Sequence, residues 1–98
     1  MSLRIVFRVS AQVEVEKAAT WYNDQREGLG EEFLQEIEDV VSRAAARPQR
    51  YPIVTENVRR AVARRFPYSV FFRTRSDTLV VLAVFHGRRN PEIWRRRI

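Results

Sequence analysis

Ninety-eight residues carry eighteen basic and twelve acidic side chains, one histidine and no cysteine. The length suits one domain spanning residues 1–98 with a single core, and the residue types exclude disulfides, thiolate metal sites and any multi-histidine site. No apolar run approaches the ~20 residues of a membrane span, and the opening MSLRIVF meets Arg8 too early for a secretory signal, so a soluble, cytoplasmic protein without a membrane partner is expected.

Leu3, Ile5 and Phe7 alternate with Arg4, Val6 and Arg8, which predicts a strand over residues 3–8 with one clearly buried face. Ser10 can cap a helix that follows. Ala11, Val15, Ala18, Ala19 and Tyr22 recur at three- and four-residue steps and form its apolar stripe, with Trp21 beside it. Gly28 and Gly30 break that helix. A second helix is predicted over residues 29–46, with Phe33, Leu34, Ile37, Val40, Val41, Ala44 and Ala45 as its core face. Its acids gather toward the start and Arg43 and Arg47 toward the end, as the helix dipole favours, and Pro48 stops it. Two such helices should lie antiparallel as a hairpin over a sheet.

Three strands are predicted after the Pro- and Arg-rich connection at residues 47–52. Val58, Ala61 and Val62 mark a short one near an edge. Phe66-Pro67 forces an extended link, after which Tyr68, Val70 and Phe72 alternate with Ser69, Phe71 and Arg73. Ser76-Asp77 suits a hairpin turn. Residues 79–85 are almost continuously apolar, as in a central strand covered on both faces. Asn90-Pro91 can start a short final helix over residues 92–97.

Charge is unevenly placed. Residues 1–49 have a balance of −3 and residues 50–98 one of +9, and seventeen of the eighteen cations are arginine. A genome's codon bias can supply arginines but does not choose a half. One positive face, suited to nucleic acid or an acidic protein segment, is therefore expected. Arg60, Arg64 and Arg65 can contact phosphate or carboxylate groups, or can be edge-strand charges that deter pairing. His86, at a strand end beside Gly87, can act as a general acid or base, or can satisfy backbone groups there. Arg88, Arg89, Arg95, Arg96 and Arg97 flank Trp94, which can anchor an interface or tuck onto the sheet. Trp21 and Tyr22 sit at core spacing on the first helix. No phosphate loop, nucleophile motif or metal spacing occurs, and no cofactor or metal is expected.

Two motifs, RRxxxRRFPYxVFFR from Arg59 and HGRRxPxxW from His86, separated by an apolar strand, resemble the closing pattern of the ParE branch of the RelE/ParE toxin superfamily. The strand, aromatic-bearing helix, Gly-Leu-Gly turn and second helix before them extend the resemblance over nearly the whole chain. It implies an α+β fold of order β-α-α-β-β-β(-α), with a helical hairpin on a small, mainly antiparallel sheet. It implies the toxin of a type II toxin–antitoxin system, a plasmid-stabilisation toxin inhibiting DNA gyrase by binding and neutralised by a cognate antitoxin. Target contact is then expected at Arg88, Arg89, Trp94, Arg95 and Arg96, and antitoxin contact at Arg59, Arg60 and Trp21. The alternatives are a RelE-type endoribonuclease acting on RNA or the ribosome through Arg65 and His86, or a non-toxic relative. Against the nuclease, Trp94 stands near the C-terminus where such enzymes carry a tyrosine or similar group, and the lysines of their active loop are missing, Lys17 being the only lysine.

Overall fold

The computed structural model describes residues 2–87 and Arg96. Its elements are β1 (Arg4–Phe7), α1 (Val9–Gln25), α2 (Leu29–Ala46), a 3-10 turn (Pro48–Arg50), β2 (Ile53–Thr55), β3 (Val58–Val62), β4 (Tyr68–Arg75) and β5 (Thr78–His86). The strands make one sheet in the order β1-β5-β4-β3-β2. β1 runs parallel to β5 and the other neighbours are antiparallel. A parallel pair cannot be closed by a tight turn, and here the helical hairpin and the meander lie between its two strands. This is the α+β arrangement expected from the sequence, with one more strand than the pattern showed.

The main core lies between the hairpin and one face of the sheet. Ala11, Val15, Ala18 and Ala19 of α1 and Phe33, Ile37, Val40, Val41, Ala44 and Ala45 of α2 meet Ala61, Val70, Phe72, Leu79, Val81 and Val84 from the strands. A second buried cluster, Val58, Phe71, Leu82, Ala83 and Phe85, belongs to the opposite face. β5 therefore supplies buried side chains to both faces, as its continuous apolar run predicts.

The β4–β5 ladder contains one irregularity. Phe72 faces Val81 but Phe71 faces Ala83, so Leu82 is an extra residue on β5. Such a bulge reverses the alternation beyond it. Leu79 and Val81 precede it on the helix side, and Val84 returns to that side only because Leu82 is inserted.

Several local expectations are corrected. Ser10 does not cap α1; the helix begins at Val9 with Arg8 as cap residue and no side-chain cap bond. β1 has no clearly buried face, because it is an edge strand: Ile5 and Val6 are both exposed and Phe7 is half-buried. Leu34 follows the apolar period of α2 but is exposed, standing at the rim of a groove against β1 rather than over the sheet. β3 does lie near an edge, with only β2 outside it, and its Val62 is exposed. The final helix expected over residues 92–97 falls outside the described residues.

Two glycines set the hairpin. Gly28 precedes α2 with φ 89°, a conformation that favours glycine. Gly30 lets the helices close: a Cβ there would sit 2.4 Å from the Ala19 carbonyl oxygen and 2.9 Å from the Asn23 side chain. That side chain accepts the Gly30 N–H at 2.8 Å through Oδ1. Gly30→Ala is expected to lower the unfolding free energy by about 1–3 kcal/mol, the usual cost of overpacking. A urea titration of the variant measures it, and an unchanged midpoint would contradict this close approach.

Candidate functional site

β1 accompanies β5 only as far as Val81. There the Arg8 N–H bonds the Val81 carbonyl at 3.0 Å, and the chain turns into α1. Residues 82–86 of β5 continue past the end of β1. Because of the bulge, the Val84 N–H turns toward that side, where Glu14 Oε1 accepts it at 3.0 Å. A helix side chain thus replaces a strand partner.

The result is a groove of about 490 Å³ walled by Ser10, Val13, Glu14, Lys17 and Trp21 from α1 and by Tyr68, Val84 and His86 from the strands. A second hollow of about 500 Å³ adjoins it, sharing Trp21, Tyr68 and His86 and adding Tyr22 and Pro67. Aromatic contacts build this wall. Trp21 is 57% exposed and stands edge-on to Tyr22, centroids 5.1 Å apart. Tyr22 packs on Phe33, Phe66 and Tyr68, and burial raises its phenol above the ordinary range. Tyr68 meets His86 edge-on at 5.5 Å, its cross-strand partner. The Gly87 N–H is held by the Pro67 carbonyl at 2.7 Å.

Tyr22 thus faces the core while its neighbour Trp21 is presented to solvent, where a rigid aromatic is a suitable anchor for a protein partner. Glu14, Lys17 and Tyr68 are not among the site residues expected from sequence. A signal for the first two existed: Ser10, Val13, Glu14, Lys17 and Trp21 lie at three- and four-residue steps along one helix face.

The arginines have different surroundings. Glu36 Oε2 accepts the backbone N–H groups of Arg64 and Arg65 at 2.5 and 3.0 Å. Arg65 Nη2 reaches Glu32 Oε1 at 2.6 Å, and Glu32 also holds Arg26 at 3.1 Å. The Arg65 guanidinium lies over the Phe66 ring, 5.4 Å from its centre. Arg65 is therefore engaged by α2, whereas His86 lines the groove beside α1. Their neighbours differ: Glu32 and Phe66 for Arg65, Tyr68 for His86.

Arg59 Nη1 donates to the Tyr51 carbonyl at 2.6 Å, a tie that fastens β3 to the preceding turn. Arg60 is exposed, on the sheet face away from the helices, since it alternates with the core residue Ala61. It and Trp21 lie on different sides of the molecule. Arg96 is exposed, while Arg88, Arg89, Trp94 and Arg95 lie outside the described residues. Among the described residues no His/Cys/Asp/Glu group could hold a metal, and no helix is long and apolar enough to cross a membrane.

The bonds from the Arg65 and Arg64 backbone hold the Glu36 carboxyl below its ordinary range, and those from Arg65 and Arg26 do the same for Glu32. Both groups stabilise the fold when ionised, fully above the unfolded carboxyl value of about 4.3, and that stability is lost as pH falls through the lower folded values. Glu36→Gln is expected to flatten the acid limb of the stability curve below about pH 4.3, and Glu32→Gln with it to flatten it further. Urea midpoints measured across that range check this; an unchanged slope would contradict the clamp.

A model of the ParE toxin of type II toxin–antitoxin systems, parDE, matches residues 5–91 of the chain. No curated protein sequence matches it. Among solved structures, a chain of the chromosomal ParDE toxin–antitoxin system from P. aeruginosa superposes with a TM-score of 0.71, covering 87% of this chain and 96% of that one at 18% identity. At that identity the likeness is one of fold.

Proposed function

The chain belongs to the ParE toxin family of type II toxin–antitoxin systems, and from this we propose that it acts by binding DNA gyrase and is neutralised by a cognate antitoxin. The observation that carries the reading is the groove beside α1 with Trp21 exposed at its rim, together with the separate engagement of Arg65 by Glu32. The first is a surface suited to a protein partner. The second occupies the guanidinium that the nuclease alternative, with RNA or the ribosome as its target, would use.

Trp21 and Arg60 are the proposed antitoxin contacts. Because they lie on different sides of the sheet, a partner reaching both crosses the sheet's rim. An extended tail that orders on binding does this more readily than a globular surface. Arg59 is the poorer probe of the pair, since its guanidinium already serves the Tyr51 carbonyl. Arg88, Arg89, Trp94, Arg95 and Arg96 are the proposed target contacts. Five cations and an indole come after the last strand with only Glu92 among them, a composition suited to guanidinium–carboxylate pairing around an aromatic anchor.

Trp21→Ala is expected to weaken the antitoxin complex by about 2 kcal/mol with little salt dependence. Arg60→Glu should weaken it more at low salt than at high salt. Calorimetric titration at two salt concentrations reads both, and equal losses for Arg60→Glu would remove the electrostatic part of the reading.

Induction of the chain alone in a bacterium tests the mechanism. Filamentation with an SOS response is expected, and His86→Ala, folded by circular dichroism, should keep it, whereas removal of a general acid or base would cost about 10²–10⁴-fold in rate. Trp94→Ala with Arg95→Ala should abolish it. A folded but inert His86→Ala variant beside a toxic tail variant would overturn the binding mechanism in favour of RNA cleavage.

A further inference from the structure

The face of the sheet turned away from the helices carries an arginine array that includes Arg60 but neither Trp21 nor Arg59. Phe7 packs in the main core, so by alternation Arg4 points to the opposite face. Phe71 belongs to the second cluster and Phe72 to the main one, so Arg73 and Arg75 share the side of Phe71. Register aligns them. Arg4 and Arg75 both stand opposite Thr78, giving a row across β1, β5 and β4, and Arg73 is opposite Val80 in the next row. Arg60, opposite Phe71, continues the face on β3.

Two strand spacings separate Arg4 from Arg75, about 10 Å, and two residues separate Arg73 from Arg75, about 7 Å. Arg4 and Arg75 are exposed and Arg73 is half-exposed. Among the described residues none of the three is within ion-pair distance of a carboxylate. The acid beside them in sequence is Asp77 in the turn, whose Oδ1 takes the Thr78 hydroxyl at 3.1 Å.

We propose that Arg4, Arg73 and Arg75 form a strip that binds the phosphate backbone of double-stranded DNA without regard to sequence. The spacing suits this ligand. A duplex carries one phosphate per strand for about every 3.4 Å of helix axis, so a patch about 10 Å across meets several phosphates, and guanidiniums about 7–10 Å apart can each take a different one. Guanidiniums pair with phosphates in bidentate fashion.

Other polyanions fit less well. An amphipathic acidic tail needs an apolar seat, and the residues between these arginines are Thr78 and Val80 of β5, which offer one short apolar side chain. Single-stranded nucleic acid binds through aromatic stacking, and the rings of this face, Phe71 and Phe85, are buried. What remains is contact with phosphates alone, which positions a protein on a duplex but reads no bases. The inference stands apart from the gyrase reading, since it concerns the toxin and DNA with no third component.

The test is fluorescence anisotropy of the full chain with a 20-base-pair duplex, titrated with salt. Binding should be equal for unrelated sequences. Arg73→Gln with Arg75→Gln should lower the slope of log affinity against log salt by about 2, and Arg4→Gln alone by about 1. Arg47→Gln with Arg50→Gln removes the same charge elsewhere and should leave the slope nearly intact. An equal loss in that control overturns the strip in favour of diffuse net charge. Tighter binding of single-stranded DNA, or competition by a poly-glutamate peptide as effective as by the duplex, overturns the choice of ligand. Because toxicity is read separately by induction, failure here leaves the gyrase reading standing, and the converse holds.

Discussion

The parallel pairing of β1 with β5, ending at Val81, is the constraint on which the rest of the molecule depends. It places the first strand beside the last, so the helical hairpin must pack on one face before the meander begins. It also leaves residues 82–86 of β5 beyond the reach of β1. An unpaired backbone N–H there would be costly, and Glu14 on α1 accepts that of Val84. The bulge at Leu82 turns the N–H toward the helix. Groove, helix position and strand irregularity are thus one feature, and Trp21 stands at its rim because Tyr22 is taken up by the core.

The aromatic packing around Tyr22, Phe33, Phe66 and Tyr68 joins this groove to the arginine loop. Phe66 is buried, and its neighbours Arg64 and Arg65 are fixed by Glu36 and Glu32 on α2. The loop that carries Arg65 is thus tied to α2. Its arginine is a strut between the sheet and the hairpin, and the guanidiniums of Arg4, Arg73 and Arg75 lie elsewhere, on the opposite face of the sheet.

Features written in local periodicity were legible in the sequence. The stripe of α2, the apolar run of β5 and the turn at Ser76-Asp77 all appear where residue spacing puts them. β2 was not legible, because three residues between Pro52 and a turn with Glu56 at φ 44° give no period to detect. Leu34 was misplaced because periodicity identifies an apolar face but not how far the neighbouring layer extends over it. The pairing of Arg65 with Glu32 spans 33 residues and leaves no local mark. The groove was only half visible: α1 shows its face in the spacing of Ser10 to Trp21, but the bulge that completes it carries no sequence signature. The family motifs supplied what periodicity could not, the kind of protein to expect.

The central claim is toxicity through binding rather than catalysis. It is tested most directly by DNA supercoiling with purified gyrase, titrated with the purified chain in the absence of ribosomes and with an RNA included as a bystander. Dose-dependent loss of supercoiling that is reversed by antitoxin, with the RNA intact, is the expected result. Undiminished supercoiling alongside cleaved RNA would contradict it.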